Sequence, residues 1–160
     1  MNIQYPLFRL KLGAGLIGAI VLCHPAQAED SGRTIALLPK YQQECSSCHV
    51  AFPPTLMPAA SWNRIMNTLP KHFGTDASLD AATLKELSGW VTAHAGTYKR
   101  VSEEPPQDRI SRTAWFVRKH NEVSSATWKI PAVKSAANCG ACHTTADKGD
   151  FNERNIRTPR

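Results

Sequence analysis

Long apolar runs are almost absent from this 160-residue chain. The one that exists, Leu12 to Leu22, is far shorter than the ~20 residues that a membrane-crossing helix needs. Arg9 and Lys11 precede it and Ala26-Gln27-Ala28 follows it, the order of a secretory signal with a small-residue cleavage site. Residues 1–28 are therefore expected to be a cleaved signal peptide. The mature chain is expected to be exported to the periplasm with no transmembrane anchor. Cys23 follows the bulky Leu22, where a lipoprotein signal would carry a small residue, which argues against lipidation. Cysteine is scarce as well: of five in all, only Cys45, Cys48, Cys139 and Cys142 lie beyond residue 28. They stand as two close pairs and leave no framework of structural disulfides. Of three methionines, only Met57 and Met66 survive cleavage. No aromatic-basic motif accompanies the positive charge, which excludes a nucleic-acid partner. No acid–base group sits in a catalytic setting, so an enzyme is not expected.

What the chain does have is a repeated pentapeptide pattern, Cys45-Ser46-Ser47-Cys48-His49 and Cys139-Gly140-Ala141-Cys142-His143. C-x-x-C-H is the attachment sequence of c-type haem: two thiols add to the porphyrin vinyl groups and the adjacent histidine binds the iron. One turn of backbone sets both sulfurs along one edge of the macrocycle and aims the next imidazole at the metal. A bare C-x-x-C would leave a redox dithiol or half a zinc site open. A histidine after both pairs, in a chain with six in all, selects two covalently bound haem c groups, with His49 and His143 on the irons. A zinc module would set its pairs ~15–20 residues apart, whereas these begin at residues 45 and 139.

The pattern along the chain predicts a mainly α architecture with loops and no sheet. Pro39 is placed to open a helix carrying Cys45 to His49, and Phe52-Pro53-Pro54 is placed to stop it. A carbonyl of Pro53 or Pro54 is a candidate acceptor for the free ring nitrogen of His49. Trp62, Ile65, Met66 and Leu69 share one face of a helix over residues 58–69 that Pro70 ends. Ser78 or Asp80 can cap a further helix to about Ala95, with Leu84, Leu87, Val91 and His94 on one stripe and Gly96 closing it. Ser102-Glu103-Glu104-Pro105-Pro106-Gln107-Asp108 reads as a linker. The division is then haem domain 1 at 29–101, linker at 102–108, and haem domain 2 at 109–160. The second domain has one short helical pattern, Ile110 to His120, and must be ordered largely by its haem. Residues 29–108 hold 7 basic and 9 acidic side chains, while 109–160 hold 10 and 4. The basic excess serves either to pair with haem propionates or to steer an acidic redox partner.

The ligand opposite each motif histidine decides the chemistry, since a thioether raises the potential relative to a second imidazole. Met57 follows His49 too closely to cross the haem, Met66 belongs to an apolar helix face, and no methionine lies further on. His72, His94 and His120 remain. His72 sits in a loop from which a side chain can reach across a haem. His120 is the only histidine of the second half besides His143, with Trp115 and Phe116 nearby to lie on a porphyrin. His94 ends an amphipathic helix, where a histidine commonly caps, and is the weaker candidate. This assigns His49 with His72 to one iron and His143 with His120 to the other, leaving no open position.

The chain resembles the small exported dihaem cytochrome c family of proteobacteria. The resemblance rests on Leu38-Pro39-Lys40-Tyr41, Ser61-Trp62, the stretch His72-Phe73-Gly74-Thr75-Asp76-Ala77-Ser78-Leu79, Trp115 with Arg118-Lys119-His120, Lys134 to Cys139, and the Arg-Thr-Pro-Arg end. It implies a class I cytochrome c-like N-terminal haem domain and a small, loop-rich C-terminal one. It also implies bis-histidine ligation and electron donation to a small oxygen-binding monohaem cytochrome c. A membrane cytochrome b is a further expected redox partner, and the protein is expected to be a monomer. Two other readings stay open: a dihaem electron-transfer subunit of a periplasmic reductase, and a haem peroxidase or sensor with one open iron. The first would bring the motifs closer together than they are. The second requires that His120 not be a ligand.

Overall fold

The computed structural model describes Met1 and residues 35–159. The expected signal segment with Arg9, Lys11, Cys23 and Ala28, and the expected start of the mature chain at 29–34, lie outside the described residues. Pro39 opens the first helix, α1 (Pro39–Cys45), where its fixed φ suits the first helical position and its missing N–H costs nothing. The helix is shorter than the sequence predicts. It ends at Cys45, and residues 46–48 form a turn. The reason lies in tertiary structure: buried Tyr41 donates its hydroxyl to Phe52 O at 2.7 Å. A helix continued through His49 would carry the chain away at ~1.5 Å per residue and forbid that bond. The Phe52-Pro53-Pro54 stretch is therefore not the stop; Pro54 instead opens a single 3₁₀ turn, Pro54–Leu56.

Helix α2 (Ala59–Asn67) presents the apolar face expected of it, and Trp62, Ile65, Met66 and the following Leu69 are all buried. It stops ahead of Pro70, and Leu69–Lys71 forms a 3₁₀ turn. Helix α3 (Ala81–Ala93) starts at Asp80, whose Oδ1 accepts from the N–H groups of Ala82 and Thr83, both at 3.0 Å. Ser78, the other candidate cap, is engaged with Asp76 Oδ1 through its own N–H at 2.9 Å. Leu87 and Val91 turn fully into the core, and α3 lies against α2. Tyr41, Ala51, Met57, the α2 face, Leu87, Val91 and Ile110 make one cluster, so both methionines beyond residue 28 are core residues. Gly96 does not close α3, because His94 is already its C-cap. Gly96 N donates to Met57 O at 2.9 Å, and a Cβ there would collide with Thr55 O and Val101 Cγ2. The residue is glycine because two backbone segments touch, not because a helix ends.

Two residues of the 102–108 stretch, Glu104 and Asp108, are bonded to Arg64 of α2. Arg64 Nε and Nη2 hold both oxygens of Asp108, at 2.8 and 2.6 Å, and Nη2 also reaches Glu104 at 2.6 Å. This fork-shaped pairing is the arrangement guanidinium geometry favours. Beyond it, the expected helix over 110–120 is split. Ile110–Arg112 is a 3₁₀ turn, and α4 (Ala114–Lys119) begins anew at Thr113, whose hydroxyl accepts from Phe116 N at 3.2 Å. A four-residue helix, α5 (Ser125–Trp128), follows. Trp115 leans back onto the first segment and donates Nε1–H to Leu56 O at 3.2 Å. Ser31–Arg160 forms one compact unit holding both C-x-x-C-H motifs. Among the described residues there is no strand, only isolated bridges at His72–Thr75 and His143–Ile156, so the architecture is mainly helical. No helix among the described residues is long and apolar enough to cross a membrane.

Two outcomes follow for the haem-loaded protein. Gly96→Ala should lower stability by about 1–3 kcal/mol, the usual range for overpacking, read as an earlier midpoint in denaturant unfolding. The Arg64 guanidinium holds the Asp108 carboxyl below its ordinary value. Its contribution is then present at neutral pH and lost as the pH falls through that depressed value. Asp108→Asn should therefore unfold more readily at neutral pH and show a shallower loss of stability with acid.

Candidate metal centres

Helix α1 delivers Cys45 as its last residue, and the turn after it carries Cys48 and leads directly into His49. His49 Nδ1 lies 2.8 Å from Val50 O, which leaves Nε2 as the free ring nitrogen. The carbonyl at Nδ1 is thus Val50, not Pro53 or Pro54, since Pro54 O already accepts the Trp62 indole N–H at 2.7 Å. Phe52 stacks on the His49 ring with centres 4.7 Å apart and planes at 16°. His72 is carried by a tight loop, closed by Thr75 N donating to His72 O at 3.0 Å and Ala77 N to Leu69 O at 2.9 Å. This loop sets the His72 ring centre 6.2 Å from that of His49, with planes at 25°. Burial, and then the neighbouring His49, lower the His72 pKa. Both effects favour the neutral imidazole, the form that binds a metal.

The second centre repeats the arrangement with different supports. Cys139–Ala141 is a 3₁₀ turn, and His143 N donates to Cys139 O at 2.8 Å. The C-terminal tail braces the motif: Arg157 N donates to Cys142 O at 2.8 Å and Thr144 N to Asn155 O at 3.2 Å. His120 is the C-cap of α4, its Nδ1 2.9 Å from Phe116 O. Phe116 stacks on it with centres 3.9 Å apart. The ring centres of His120 and His143 are 6.1 Å apart with planes at 67°. Burial, and then His120, lower the His143 pKa. His143 Nδ1 is buried with no hydrogen-bond partner among the described residues.

Distance decides what these pairs can do. A metal about 2.0–2.1 Å from each of two imidazole nitrogens, each about 1.1 Å from its ring centre, holds the centres about 6.3 Å apart. The observed 6.2 and 6.1 Å match that span. Among the described residues no three His, Cys, Asp or Glu side chains converge on a metal site. A donor set of two imidazoles with centres at this separation fits a metal that brings its own equatorial nitrogens, as a porphyrin iron does. The four cysteines are free of disulfides, which leaves their sulfurs for thioether bonds. Burial pushes the Cys45 and Cys139 thiols up to about 11.

The two centres lie side by side. A Cβ placed on Gly140, inside the second motif, would be 3.6 Å from Val50 Cγ1, next to the first. Gln42 Nε2 on α1 donates to Asp147 O at 3.1 Å. His94 is elsewhere: it is exposed at the end of α3, its Nδ1 2.8 Å from Trp90 O and its ring 4.8 Å from Trp90. Three supporting rings escape a sequence reading. Phe52 on His49, Trp128 at 6.0 Å from His120 and Phe151 at 5.5 Å from His143 carry no periodic signal. Trp115 lies 6.0 Å from Phe116 and also bonds to the first segment at Leu56.

Comparison with known proteins gives the family. The family model described as dihaem cytochrome c matches residues 41–151. A dihaem c-type cytochrome from Shewanella baltica is 35% identical with a TM-score of 0.66, over 76% of this chain and 92% of its own. Two structures of a dihaem cytochrome c from Rhodobacter sphaeroides are 42% and 40% identical, with TM-scores of 0.63 and 0.65. They cover 73% and 74% of this chain and 99% of their own. No curated protein matches. The chain belongs to the dihaem cytochrome c family, whose haems carry electrons, and it binds two haem c groups covalently through Cys45 with Cys48 and Cys139 with Cys142.

Proposed function

We propose that the protein is a periplasmic electron carrier in which both irons are closed by two imidazoles, His49 with His72 and His143 with His120. The observation that carries this reading is the pair of ring-centre separations, 6.2 and 6.1 Å. The bound haems supply irons that cycle between ferric and ferrous. The protein's own residues do the rest. Val50 O and Phe116 O orient the rings of His49 and His120 through Nδ1, which fixes the tautomer that presents Nε2. Phe52, Phe116, Trp128 and Phe151 wall the rings and keep water from the metal axis. Two neutral imidazoles hold the potential below that of a thioether-ligated iron. With both faces of each iron closed, no position is left for a substrate, so the protein is a carrier and not an enzyme. His94 remains outside both sites.

Residues 29–101 form a class I cytochrome c-like haem domain built on α1, α2 and α3. Residues 109–160 form a small, loop-rich second haem domain, joined to the first by 102–108. The near contact of Gly140 with Val50, and the Gln42–Asp147 bond, support electron passage from one haem to the other. The redox partners are a membrane cytochrome b and a small oxygen-binding monohaem cytochrome c, and the carrier acts as a monomer.

Near-infrared magnetic circular dichroism reads axial ligands directly. The native protein is expected to show two low-spin bis-imidazole haems. His72→Met and His120→Met should each convert one haem to imidazole–thioether ligation and raise one of the two potentials. His94→Ala should leave both ligand sets as they are. High-spin absorption from half the native haem, or altered ligation in His94→Ala, would overturn the assignment.

A further inference from the structure

The loop that carries His72 has a second feature that ligation does not use. Phe73, the next residue, is held at a left-handed φ of +50°, an unfavourable conformation for a bulky side chain. It is 45% exposed all the same. A strained, exposed aromatic contributes little to a core and points to a role at the surface. The Arg109 guanidinium lies over its ring, 4.5 Å from the centre. Beside it is a cleft of about 410 Å³ whose wall includes Lys71, His72, Phe73, Arg109 and Arg112. Lys71, Arg109 and Arg112 are exposed. The one acid on the wall, Asp108, is tied to Arg64, so the cleft keeps a positive excess. No residue of either C-x-x-C-H motif lines it. The cleft is therefore distinct from the gap between His49 and His72, yet one of those two rings forms part of its wall.

We propose that this cleft and the Phe73 ring are the docking face through which the first haem exchanges electrons with an acidic patch on a partner redox protein. The proposal rests on the carrier reading above and names the surface that reading requires. Three cations attract an acidic partner over the length of the ionic atmosphere. An apolar ring at the centre supplies the dry contact that a polar rim surrounds. In the loading step, one electron leaves the reduced partner and enters the haem held by His49 and His72. The partner is oxidised by one, that iron goes from ferric to ferrous, and no bond is made or broken.

The test is stopped-flow reduction of the haem-loaded protein by two one-electron donors of opposite charge. One is reduced plant-type ferredoxin, an acidic protein, and the other is the methyl viologen radical cation. In Lys71→Glu/Arg112→Glu, the ferredoxin rate should fall about tenfold or more at low ionic strength and lose most of its salt dependence, while the viologen rate holds or rises. Lys71→Gln, at an exposed position, should show a smaller change in the same direction and serves if the double variant does not fold. Lys129→Glu, exposed and away from the cleft lining, should reduce at the native rate. An unchanged ferredoxin rate overturns the docking face, as does an equal fall with both donors. So does a shift of the haem absorption bands in either cleft variant, which would show that these cations pair with haem propionates instead. High-spin native haem would sink the carrier reading but leave the comparison of donors intact, so the two failures are distinguishable.

Discussion

The structure depends on one constraint: an imidazole from elsewhere in the chain is brought beside each motif histidine, with ring centres 6.2 and 6.1 Å apart. His72 is 23 residues beyond His49 and His120 is 23 residues before His143. The chain solves the problem twice in different ways. In the first case, a helix ends, a 3₁₀ turn follows, and a loop held by Ala77 N and Leu69 O swings His72 across. In the second, His120 caps a short helix and needs no loop, because α4 itself aims it. In both cases the aromatic residues around the pair give the rings walls, and a neighbouring carbonyl sits at Nδ1 of His49 and of His120.

The core serves the same end. Tyr41 and Trp62, each with its polar atom satisfied by a carbonyl, pin the 52–54 stretch under the first motif. Those bonds set where Val50 and Phe52 stand relative to His49. Arg64 gathers Glu104 and Asp108 against α2, and Trp115 reaches Leu56. These links between the first segment and the second are polar and mostly exposed, so individually they contribute modestly. Together they determine which surfaces meet, and the cleft beside His72 is a product of that meeting. Its wall takes Lys71 and Phe73 from one segment and Arg109 and Arg112 from the other.

Much of this was legible in the residues alone. The C-x-x-C-H motifs are local, so their chemistry needs no fold to be read. The amphipathic faces of α2 and α3 are also local periodicities, and Trp62, Ile65, Met66, Leu69, Leu87 and Val91 are buried as that periodicity requires. The boundaries fared worse. The first helix ends four residues before His49 because of a bond to Phe52, and the 110–120 pattern breaks at Thr113 because that side chain caps a new helix. Gly96 illustrates the difference in kind. A glycine after a helix reads as a terminator, but here the space beside it is filled by Thr55 and Val101, which no local pattern reveals.

The sequence by itself determined the cofactor chemistry, the mainly helical class and the short list of histidines available to the irons, because these follow from residue identity and near-neighbour spacing. Only the tertiary structure decided how close the rings of each histidine pair come, which carbonyl lies at Nδ1 of His49 and of His120, and which basic residues collect around Phe73. Those are distances between residues remote along the chain, set by how helices and turns bury their apolar faces against one another. The composition carried a basic excess in the second half, but its meaning changed once folded. Arg109 and Arg112 line the cleft beside His72, not the second motif that follows them in sequence.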